Sequence, residues 1–346
     1  MYFNDTRFTE VNIELTNHCN FNCWFCPRHA MSREKGMMDY EQFEKMILNL
    51  NSADFLEEIA LAGIGEPTLH PDLIKMISFI KKNTHFKVVL TTNASKFAKQ
   101  SFIDELLESN LDKITVSFRI SDHIKNKMSL ASDIDYAKYI NSILKLVETV
   151  HKSNYNTEIE LAFFKETYYS RYILDVNTID FINTKLLNDF FNKFSRLLNT
   201  NLPSYDDYTR GISSHLSNVD RIPVTEGISV RFDGLSSWTT SVEKYENSST
   251  CYPSKYGSCF GMRTHFAIYW NGDVSVCCAD FDVKNIIGNI FKEKDIIKIL
   301  SGEKAVSYAE QLRGNRMPTK TCQICRGGTS LKEKWANIIG TFAYVK

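Results

Sequence analysis

Nine cysteines are the residues of this chain with the clearest capacity for chemistry, and they fall into two groups. The first group occupies eight residues near the start of the chain and consists of Cys19, Cys23 and Cys26. After a gap of more than two hundred residues comes the second group: Cys251, Cys259, Cys277, Cys278, Cys322 and Cys325. In a reducing compartment, clustered cysteines bind metal or act as reactive thiols more often than they form disulfides. The grouping predicts two separate sites.

The first group has the spacing CxxxCxxC and directly follows a strand-like segment at residues 11–15. Three thiolates cannot complete a tetrahedral structural site alone. One interpretation is zinc, with His18 or His29 as a fourth ligand. The other is a cubane [4Fe–4S] cluster in which one iron stays open for a ligand. The spacing alone leaves both open.

Two further segments bear on this choice, because each follows a predicted strand. The second strand ends in AGIGEP at residues 62–67, and the third ends in TTNA at residues 91–94. Glycine lets backbone groups approach a ligand closely, since no side chain intervenes. Ligand sites in parallel sheets gather at the carboxyl ends of the strands. The two segments therefore favour a bound cofactor beside the cysteine loop.

These segments together closely resemble the radical S-adenosylmethionine (SAM) superfamily over about residues 8–245. The chain has a CxxxCxxC motif after strand one, a GGEP-like turn after strand two and a TNG-like end to strand three. Ile64 and Ala94 replace glycines of that pattern, and neither threatens SAM binding. The resemblance implies a SAM-binding [4Fe–4S] cluster on the three N-terminal cysteines. It also implies SAM contacts from Phe25, Gly63, Gly65, Glu66, Asn93 and Ser117.

The resemblance further implies reductive cleavage of SAM to a 5′-deoxyadenosyl radical that abstracts hydrogen from a substrate. A flavodoxin- or ferredoxin-type protein would supply the electron. Arg119 is the first candidate for a substrate contact, because it lies two positions beyond Ser117 and would point the same way. Lys165, Arg231 and Asp233 are further strand-end candidates.

The second cysteine group contains a predicted β-hairpin with Asn271 and Gly272 at its turn. Outward pairing then sets Trp270 against Asp273 and Phe266 against Cys277. Side chains alternate along a strand, so Cys278 shares a face with Val274 and Val276, whereas Cys277 faces the other way. The pattern predicts that Cys277 is a ligand and that Cys278 is a core residue.

Four cysteines of this group suffice for one complete site: Cys259, Cys277, Cys322 and Cys325. Structural zinc would also suit such a set. The pattern resembles the single-cluster form of the SPASM domain, often called twitch, over about residues 251–330, and Asp280 and residues 287–289 match it too. The resemblance implies an auxiliary [4Fe–4S] cluster. Cys251 remains, either as a packing residue or as a hydrogen-atom donor to a substrate radical.

Strands that alternate with helical stretches predict an α/β fold with a parallel sheet. The family resemblance implies a partial TIM-type (β/α)6 barrel at residues 1–245. A small β-hairpin/α auxiliary-cluster domain would follow at residues 246–346. Residues 167–225 are irregular apart from one predicted helix at about 179–198, and residues 243–250 form the predicted linker.

Composition excludes several classes of function. Lys plus Arg and Asp plus Glu both total 41, which argues against a broad surface for nucleic acid or anionic membrane. The start of the chain has no signal-peptide pattern, and no apolar run approaches membrane-spanning length. We therefore expect a cytoplasmic protein.

The cofactor chemistry leaves several reactions open. We expect the core to begin close to Met1, without room for an N-terminal peptide-recognition domain, and we expect one auxiliary cluster rather than two. Both points favour a small, carbohydrate-like substrate (a sugar, aminosugar or cyclitol) oxidised at a carbinol carbon. The alternatives are epimerisation with Cys251 as donor, maturation of a ribosomal peptide, and a non-catalytic zinc scaffold.

Overall fold

The structure is a computed structural model that describes residues 9–23, 26–118, 135–165, 184–209, 219–234 and 251–344. The chain forms two compact units. The first consists of Met1–Cys19, Phe25–Val89 and Ser237–Lys346, and the second of Asn20–Trp24 and Leu90–Ser236. The predicted domain boundary at residue 245 and the linker at 243–250 lie outside the described residues.

The strands are β1 Glu10–Ile13, β2 Glu58–Leu61, β3 Lys87–Thr92, β4 Lys113–Ser117, β5 Glu158–Lys165, β6 Val219–Thr225, β7 Ile228–Gly234, β8 His265–Ile268, β9 Asp273–Ser275 and β10 Ile286–Asn289. The helices of the first half are α1 Tyr40–Leu50, α2 Leu73–Asn83, α3 Gln100–Glu108 and α4 Tyr136–Lys152. The later helices are α5 Thr184–Leu197, α6 Tyr205–Thr209, α7 Ile290–Glu293, α8 Ile296–Ser301, α9 Glu303–Arg313, α10 Lys320–Cys325 and α11 Leu331–Tyr344.

Strand β1 lies inside the sheet of the first unit. It pairs in parallel with β2 on one side and with β8 on the other. Strands β8, β9 and β10 continue the sheet by antiparallel pairing. Val11 and Ile13 are fully buried, as expected for a strand with neighbours on both sides. The auxiliary hairpin thus extends the same sheet that leads into the first cysteine loop.

In the second unit, β4, β5 and β7 pair in parallel. Helix α5 packs the apolar face that carries Phe190, Phe191 and Phe194 against this sheet, where Phe163 and Phe232 meet its rings. A period of three to four residues between apolar side chains produces this one-sided helix. The expected α/β class with a parallel core is confirmed.

One strand in the second unit was not predicted. Strand β6 falls inside the stretch that the sequence marks as irregular, and it pairs antiparallel with β7. Its polar residues and Pro223 hide the strand pattern. Proline is tolerated on a strand with a single neighbour, because the ladder there needs fewer N–H donors.

The auxiliary hairpin turn is one residue longer than predicted. Ala267 pairs with Ser275 and Ile268 with Val274, and the Tyr269 N–H donates to the Asp273 carbonyl. The predicted pairing of Trp270 with Asp273 was therefore wrong. Gly272 has φ +83°, which is the conformation of a three-residue turn that ends in a left-handed residue.

Within the described residues, no helix is long and apolar enough to cross a bilayer.

Candidate metal centres and cofactor site

The first cysteine loop is held at its start by the segment 34–36, within the first unit. Thr16 Oγ1 donates to the Gly36 carbonyl at 2.9 Å, and Asn17 Nδ2 donates to the Glu34 carbonyl at 2.7 Å. The Gly36 N–H returns a hydrogen bond of 2.8 Å to Asn17 Oδ1. These contacts fix the direction in which the chain leaves β1 toward Cys19.

The three N-terminal cysteines are all partly exposed. Cys19 and Cys26 belong to the first unit and Cys23 to the second, while Phe25 lies outside the described residues. Cys26 precedes a short 3-10 helix, Pro27–Ala30. Burial raises the pKa of the Cys26 thiol, and Arg28 acts in the opposite direction. A cation beside a thiol favours the thiolate that a metal needs.

Gly65 lies directly on the cysteine loop. A Cβ atom at this position would lie 2.1 Å from the Thr16 carbonyl oxygen and 2.7 Å from that of His18. The next residue, Glu66, donates its N–H to the His18 carbonyl at 2.8 Å. The Glu66 carboxylate accepts from the N–H and the hydroxyl of Thr68. Only glycine permits this close contact of two backbone segments.

Gly63 and Ile64 contact Glu14, a buried carboxylate just beyond β1. A Cβ atom on Gly63 would lie 2.7 Å from Glu14 Cγ, and the Ile64 N–H points to Glu14 Oε2 at 3.3 Å. Arg33 binds the same carboxylate with both guanidinium Nη atoms, at 2.7 and 2.5 Å. Two parallel N–H donors match a carboxylate and fix its orientation. Sequence reasoning missed Glu14 and Arg33, because no local pattern joins them.

Arg33 also contacts the auxiliary hairpin and the loop that follows it, within the same unit. Its Nε donates to the Phe281 carbonyl at 2.7 Å, and its guanidinium carbon lies 4.9 Å from the centre of the Tyr269 ring. The backbone N–H groups of Ser32 and Arg33 donate to Asp282. The glycine turn and the auxiliary hairpin are thus joined through one side chain.

In the second unit, Asn93 belongs to a chain of amide and hydroxyl contacts. Its Nδ2 donates to Asn20 Oδ1 at 3.0 Å, and Asn20 donates to Ser95 Oγ at 2.9 Å. The Tyr139 hydroxyl donates to the Asn93 carbonyl. Ala94 has φ +62°, so it adopts the backbone conformation that the glycine of a TNG motif would favour.

Ser117 ends β4 opposite Ala162 of β5, and Ala162 pairs with Arg231 of β7. Arg231 forms ion pairs with Glu160 at 2.6 Å and with Asp233 at 3.0 Å. Arg119 lies outside the described residues. Lys165, another strand-end candidate, is buried and paired with Asp220.

Glu160 is a charge centre that sequence reasoning did not identify. It is 1% exposed and forms ion pairs with Lys113, Arg221 and Arg231. Burial raises the pKa of the Glu160 carboxyl, but Arg231, Lys113 and Arg221 outweigh burial and bring it below the ordinary value. The Glu160 carboxylate therefore fixes the position of the Arg231 guanidinium group.

The auxiliary cysteines lie together in the first unit. A Cβ atom on Gly261 would lie 3.3 Å from Cys277 Cβ and 3.5 Å from Cys259 Sγ, and the two thiols share a hydrogen bond. Cys322 interacts electrostatically with Cys325 and Cys259. Helix α10 places Cys322 and Cys325 one turn apart, and Thr319 caps its start.

The charges around these thiols fit a metal cluster. The hydrogen bond to Cys277 and burial raise the pKa of Cys259 well above its ordinary value, and burial raises that of Cys322 to about 12. Without metal, the thiols of Cys259 and Cys322 are therefore neutral. Burial lowers the pKa of Arg326, but Cys325, Cys259 and Cys277 outweigh it and raise that pKa. A fixed cation is the expected neighbour of a cluster of thiolates.

Cys278 packs against Ala267, Tyr269 and Val283. Its Sγ also lies 3.7 Å from His265 Nε2, and the ligand atoms of His265, Cys277 and Cys278 are all within 4.8 Å of one another. Sequence reasoning missed His265, because it is twelve residues from Cys277 and the turn length brings them together. Cys251, also partly exposed, precedes Tyr252, which pairs with Gly328.

Comparison with known families assigns both cysteine regions. Residues 13–171 match the radical SAM superfamily. Residues 259–326 match SPASM, an iron–sulfur cluster-binding domain. The first match contains Cys19, Cys23 and Cys26, and the second begins at Cys259 and ends one residue after Cys325.

Individual proteins agree with these matches. The tungsten-containing aldehyde ferredoxin oxidoreductase cofactor-modifying protein of Pyrococcus furiosus is 28% identical over 182 residues, which is 51% of each chain. The chain spans about half the length of the curated relatives it matches.

Two solved structures share the fold at low sequence identity. BtrN in complex with AdoMet and 2-DOIA has a TM-score of 0.52 and 16% identity, covering 91% of this chain and 92% of BtrN. The anSMEcpe protein with bound AdoMet and a peptide has a TM-score of 0.53 and 15% identity, covering 97% and 96%.

The cofactors of such an enzyme are SAM, a SAM-binding [4Fe–4S] cluster and an auxiliary iron–sulfur cluster. The glycine turn on the first cysteine loop and the four gathered thiols of the second group suit these cofactors. The chain contains a radical SAM domain at residues 13–171 and a SPASM iron–sulfur cluster-binding domain at residues 259–326.

Proposed function

We propose that this enzyme removes hydrogen from the carbinol carbon of a small polar substrate, such as a sugar, aminosugar or cyclitol, and oxidises it to a ketone. Cys19, Cys23 and Cys26 would hold the SAM-binding cluster. Cys259, Cys277, Cys322 and Cys325 would hold the auxiliary cluster. When bound, these groups supply a 5′-deoxyadenosyl radical and a one-electron acceptor.

The protein's own groups position SAM in this proposal. Gly65 and Glu66 would supply backbone contacts to the SAM amino group, from a turn that the close contact of Gly65 with the cysteine loop holds in place. Asn93, whose side chain is fixed by Asn20 and Ser95, would contact the ribose or the carboxylate. Phe25 would pack on the adenine. Gly65 and Asn93 are held by their neighbours, which reduces the entropy lost on binding.

The observation that carries the proposal is the single set of four thiols beside the Arg326 cation. Four cysteines complete one cluster without an open iron, so such a site suits electron transfer better than substrate binding. Removal of a hydrogen atom from a carbinol leaves one electron to be accepted. One auxiliary site is enough to accept it.

The second unit offers polar groups for a hydroxylated substrate. Arg231 and Asp233 lie on β7, two positions apart and on one face, and both side chains are partly exposed. Ser117 lies in the same row across the sheet as Arg231. We propose these residues, with Arg119, as substrate contacts. A carboxylate there can also accept a proton as the carbonyl forms.

Anaerobic turnover with a panel of sugars, aminosugars and cyclitols tests the proposal. We expect one 5′-deoxyadenosine per ketone. The variant Cys322→Ala should lose oxidation and keep SAM cleavage, whereas Cys278→Ala should keep both. If Cys322→Ala still oxidises substrate at the normal rate, the electron-acceptor role of the auxiliary site is wrong.

Cys251 supports a second candidate, radical epimerisation. It lies outside the set of four thiols, and its side chain is partly exposed. Reaction in heavy water should then place deuterium at the inverted carbon, and Cys251→Ala should abolish the epimer. Retention of epimer formation by that variant would eliminate this candidate.

Peptide maturation is a third candidate, because the fold is shared with anSMEcpe, whose structure contains a peptide. Incubation with peptides encoded beside the gene, followed by mass spectrometry, tests it. A loss of two hydrogens from a peptide, with no reaction on carbohydrates, would favour this candidate over carbinol oxidation.

A further inference from the structure

The exposed aromatic side chains of the described residues lie in two short segments. Among the described residues, every exposed Tyr, Phe or Trp lies in residues 252–260 or 331–339. Tyr252 is 42% exposed, Tyr256 61%, Phe260 46% and Trp335 59%. Leu331 and Ile339, also exposed, lie one helical turn on either side of Trp335 on α11. Aromatic residues are enriched at protein interfaces, so this clustering indicates a binding surface.

These segments lie directly on the auxiliary thiol site. Tyr252 pairs with Gly328, and the Ser254 N–H donates to the Gln323 carbonyl at 2.8 Å, within the helix that carries Cys322 and Cys325. The start of α11 packs against the loop that contains Gly328. A Cβ atom on Gly328 would lie 2.5 Å from the backbone nitrogen of Lys334. Tyr256 and Phe260 flank the ligand candidate Cys259 in sequence.

The same segments carry an excess of positive charge, although the whole chain is neutral. Residues 251–265 and 314–335 contain a single acidic residue, Glu333. Glu333 is 2% exposed and its carboxylate is bound to Thr329. Seven cations accompany it: Lys255, Arg263, Arg316, Lys320, Arg326, Lys332 and Lys334. We call the exposed aromatic and cationic side chains of these two segments the cationic face.

We infer that the cationic face is the docking surface for a small acidic protein that carries one electron on a flavin or an iron–sulfur centre. The inference rests on the proposed function, in which the auxiliary site receives one electron in each turnover. Weak, electrostatically guided complexes with small interfaces are typical of electron-transfer partners. Exposed aromatic rings and exposed cations in the same segments provide such an interface.

The electron balance provides a role for this partner. Carbinol oxidation releases two electrons and two protons. One electron and one proton leave as the hydrogen atom that the 5′-deoxyadenosyl radical receives to become 5′-deoxyadenosine, and the second proton goes to solvent. The second electron reduces the oxidised carrier by one electron. Because SAM cleavage consumes one electron, the carrier can return it, and the cycle needs no net reductant.

The charges favour this occupant over two others. A second copy of the chain would bring the same cations against each other in a twofold contact, which is repulsive. A nucleic acid would need a broad basic surface, whereas the cations here are confined to segments around a thiol site in a neutral chain. An acidic electron carrier complements the positive charge of the cationic face. It must also bind close to the auxiliary site in order to exchange an electron with it.

Binding of the cluster-loaded protein to a small acidic [2Fe–2S] ferredoxin and to an acidic flavodoxin, without substrate, tests the inference. We expect a dissociation constant that rises about tenfold between 0.05 and 0.5 M salt, because exposed charges are then screened. A basic c-type cytochrome should not bind. Stopped-flow transfer of one electron between the carrier and the reduced auxiliary site should show the same salt dependence.

Charge reversal identifies the surface. The double variant Lys255→Glu/Arg316→Glu should weaken carrier binding about tenfold or more at low salt and flatten its salt dependence. Tyr256→Ser should weaken binding at all salt concentrations. Lys298→Glu makes the same kind of charge change on α8 and should bind within about threefold of the unmodified protein. Iron content should stay unchanged in all of them.

Equal carrier binding by the double variant and by Lys298→Glu would overturn the inference. So would a stable dimer in light scattering that Trp335→Glu dissociates, or tighter binding to RNA than to either carrier. Because no substrate is present, the outcome is independent of the proposed oxidation. If carriers bind at this face and no carbinol is oxidised, the proposed function fails and the docking surface stands.

Discussion

Arg33 holds the buried carboxylate of Glu14 with two guanidinium nitrogens, at 2.7 and 2.5 Å. Glu14 in turn fills the space beside Gly63 and lies 3.3 Å from the Ile64 nitrogen. The same guanidinium group donates to the Phe281 carbonyl in the loop that follows the auxiliary hairpin. The position of the glycine turn at residues 63–66 therefore depends on a residue that lies outside both cysteine motifs.

Arg33→Lys should weaken SAM binding about tenfold, which is ~1.4 kcal/mol, because lysine cannot donate to Glu14 through two parallel bonds and also reach Phe281. Equilibrium binding of SAM to the cluster-loaded variant measures the effect. Ser32→Ala is the matched control, since it removes only an exposed contact with Asp282. Unchanged SAM affinity in Arg33→Lys would show that the pair serves stability alone.

Gly65→Ala should reduce 5′-deoxyadenosine formation by about a hundredfold or more, because a displacement of about 1 Å in a positioning group has that effect. The added methyl would lie 2.1 Å from the Thr16 carbonyl oxygen, so one of two backbone segments must move. Gly314→Ala is the control, where the nearest atom lies 3.4 Å away. A wild-type rate in Gly65→Ala would contradict the close contact.

Cys277→Ala should lose about four irons of about eight, the content of one cubane cluster. Cys278→Ala should retain all of them, because its side chain packs against Ala267, Tyr269 and Val283. Iron and sulfide analysis after anaerobic reconstitution measures the difference. Since His265 lies beside both thiols, loss of iron in Cys278→Ala would instead identify that cysteine as a ligand.

Glu160→Gln should destabilise the fold at pH 7 by about 3–5 kcal/mol, because it leaves three cations without their buried anion. The pKa of Glu160 in the folded protein lies below the ordinary 4.5. Its contribution to stability is therefore complete above pH 4.5 and is lost as the pH falls through the folded pKa.

Urea unfolding followed by circular dichroism at pH 7 and near pH 4 measures this difference. The difference in the free energy of unfolding between wild type and Glu160→Gln should be smaller at the lower pH. Lys152→Ala is the control, because its ion pair with Glu148 is exposed and such pairs contribute under about 1 kcal/mol. If that difference in the free energy of unfolding is the same at both pH values, the shape of the Glu160 side chain and not its charge accounts for the lost stability.

Much of the candidate site follows from the sequence by itself. Cysteine spacing, the GxGEP turn and the Asn-Gly hairpin are local patterns, and each reflects a local requirement: a ligand set, a close backbone contact or a left-handed residue. The alternation of strands and helices likewise predicted β1, β2, β3, β4, β5 and β7. The polar strand β6 was missed, because an edge strand with a proline lacks the apolar alternation on which that prediction depends.

Only the tertiary structure decided which charges meet. Arg33 and Glu14 are 19 residues apart, and Arg231 and Glu160 are 71 apart. Such pairs depend on strand order and register, which no local pattern encodes, and a shift of one residue reverses the face of a side chain. The turn length of the auxiliary hairpin shows the same dependence. The sequence alone identifies the candidate thiol ligands. The strand order and register of the sheet determine which charged and aromatic groups surround them.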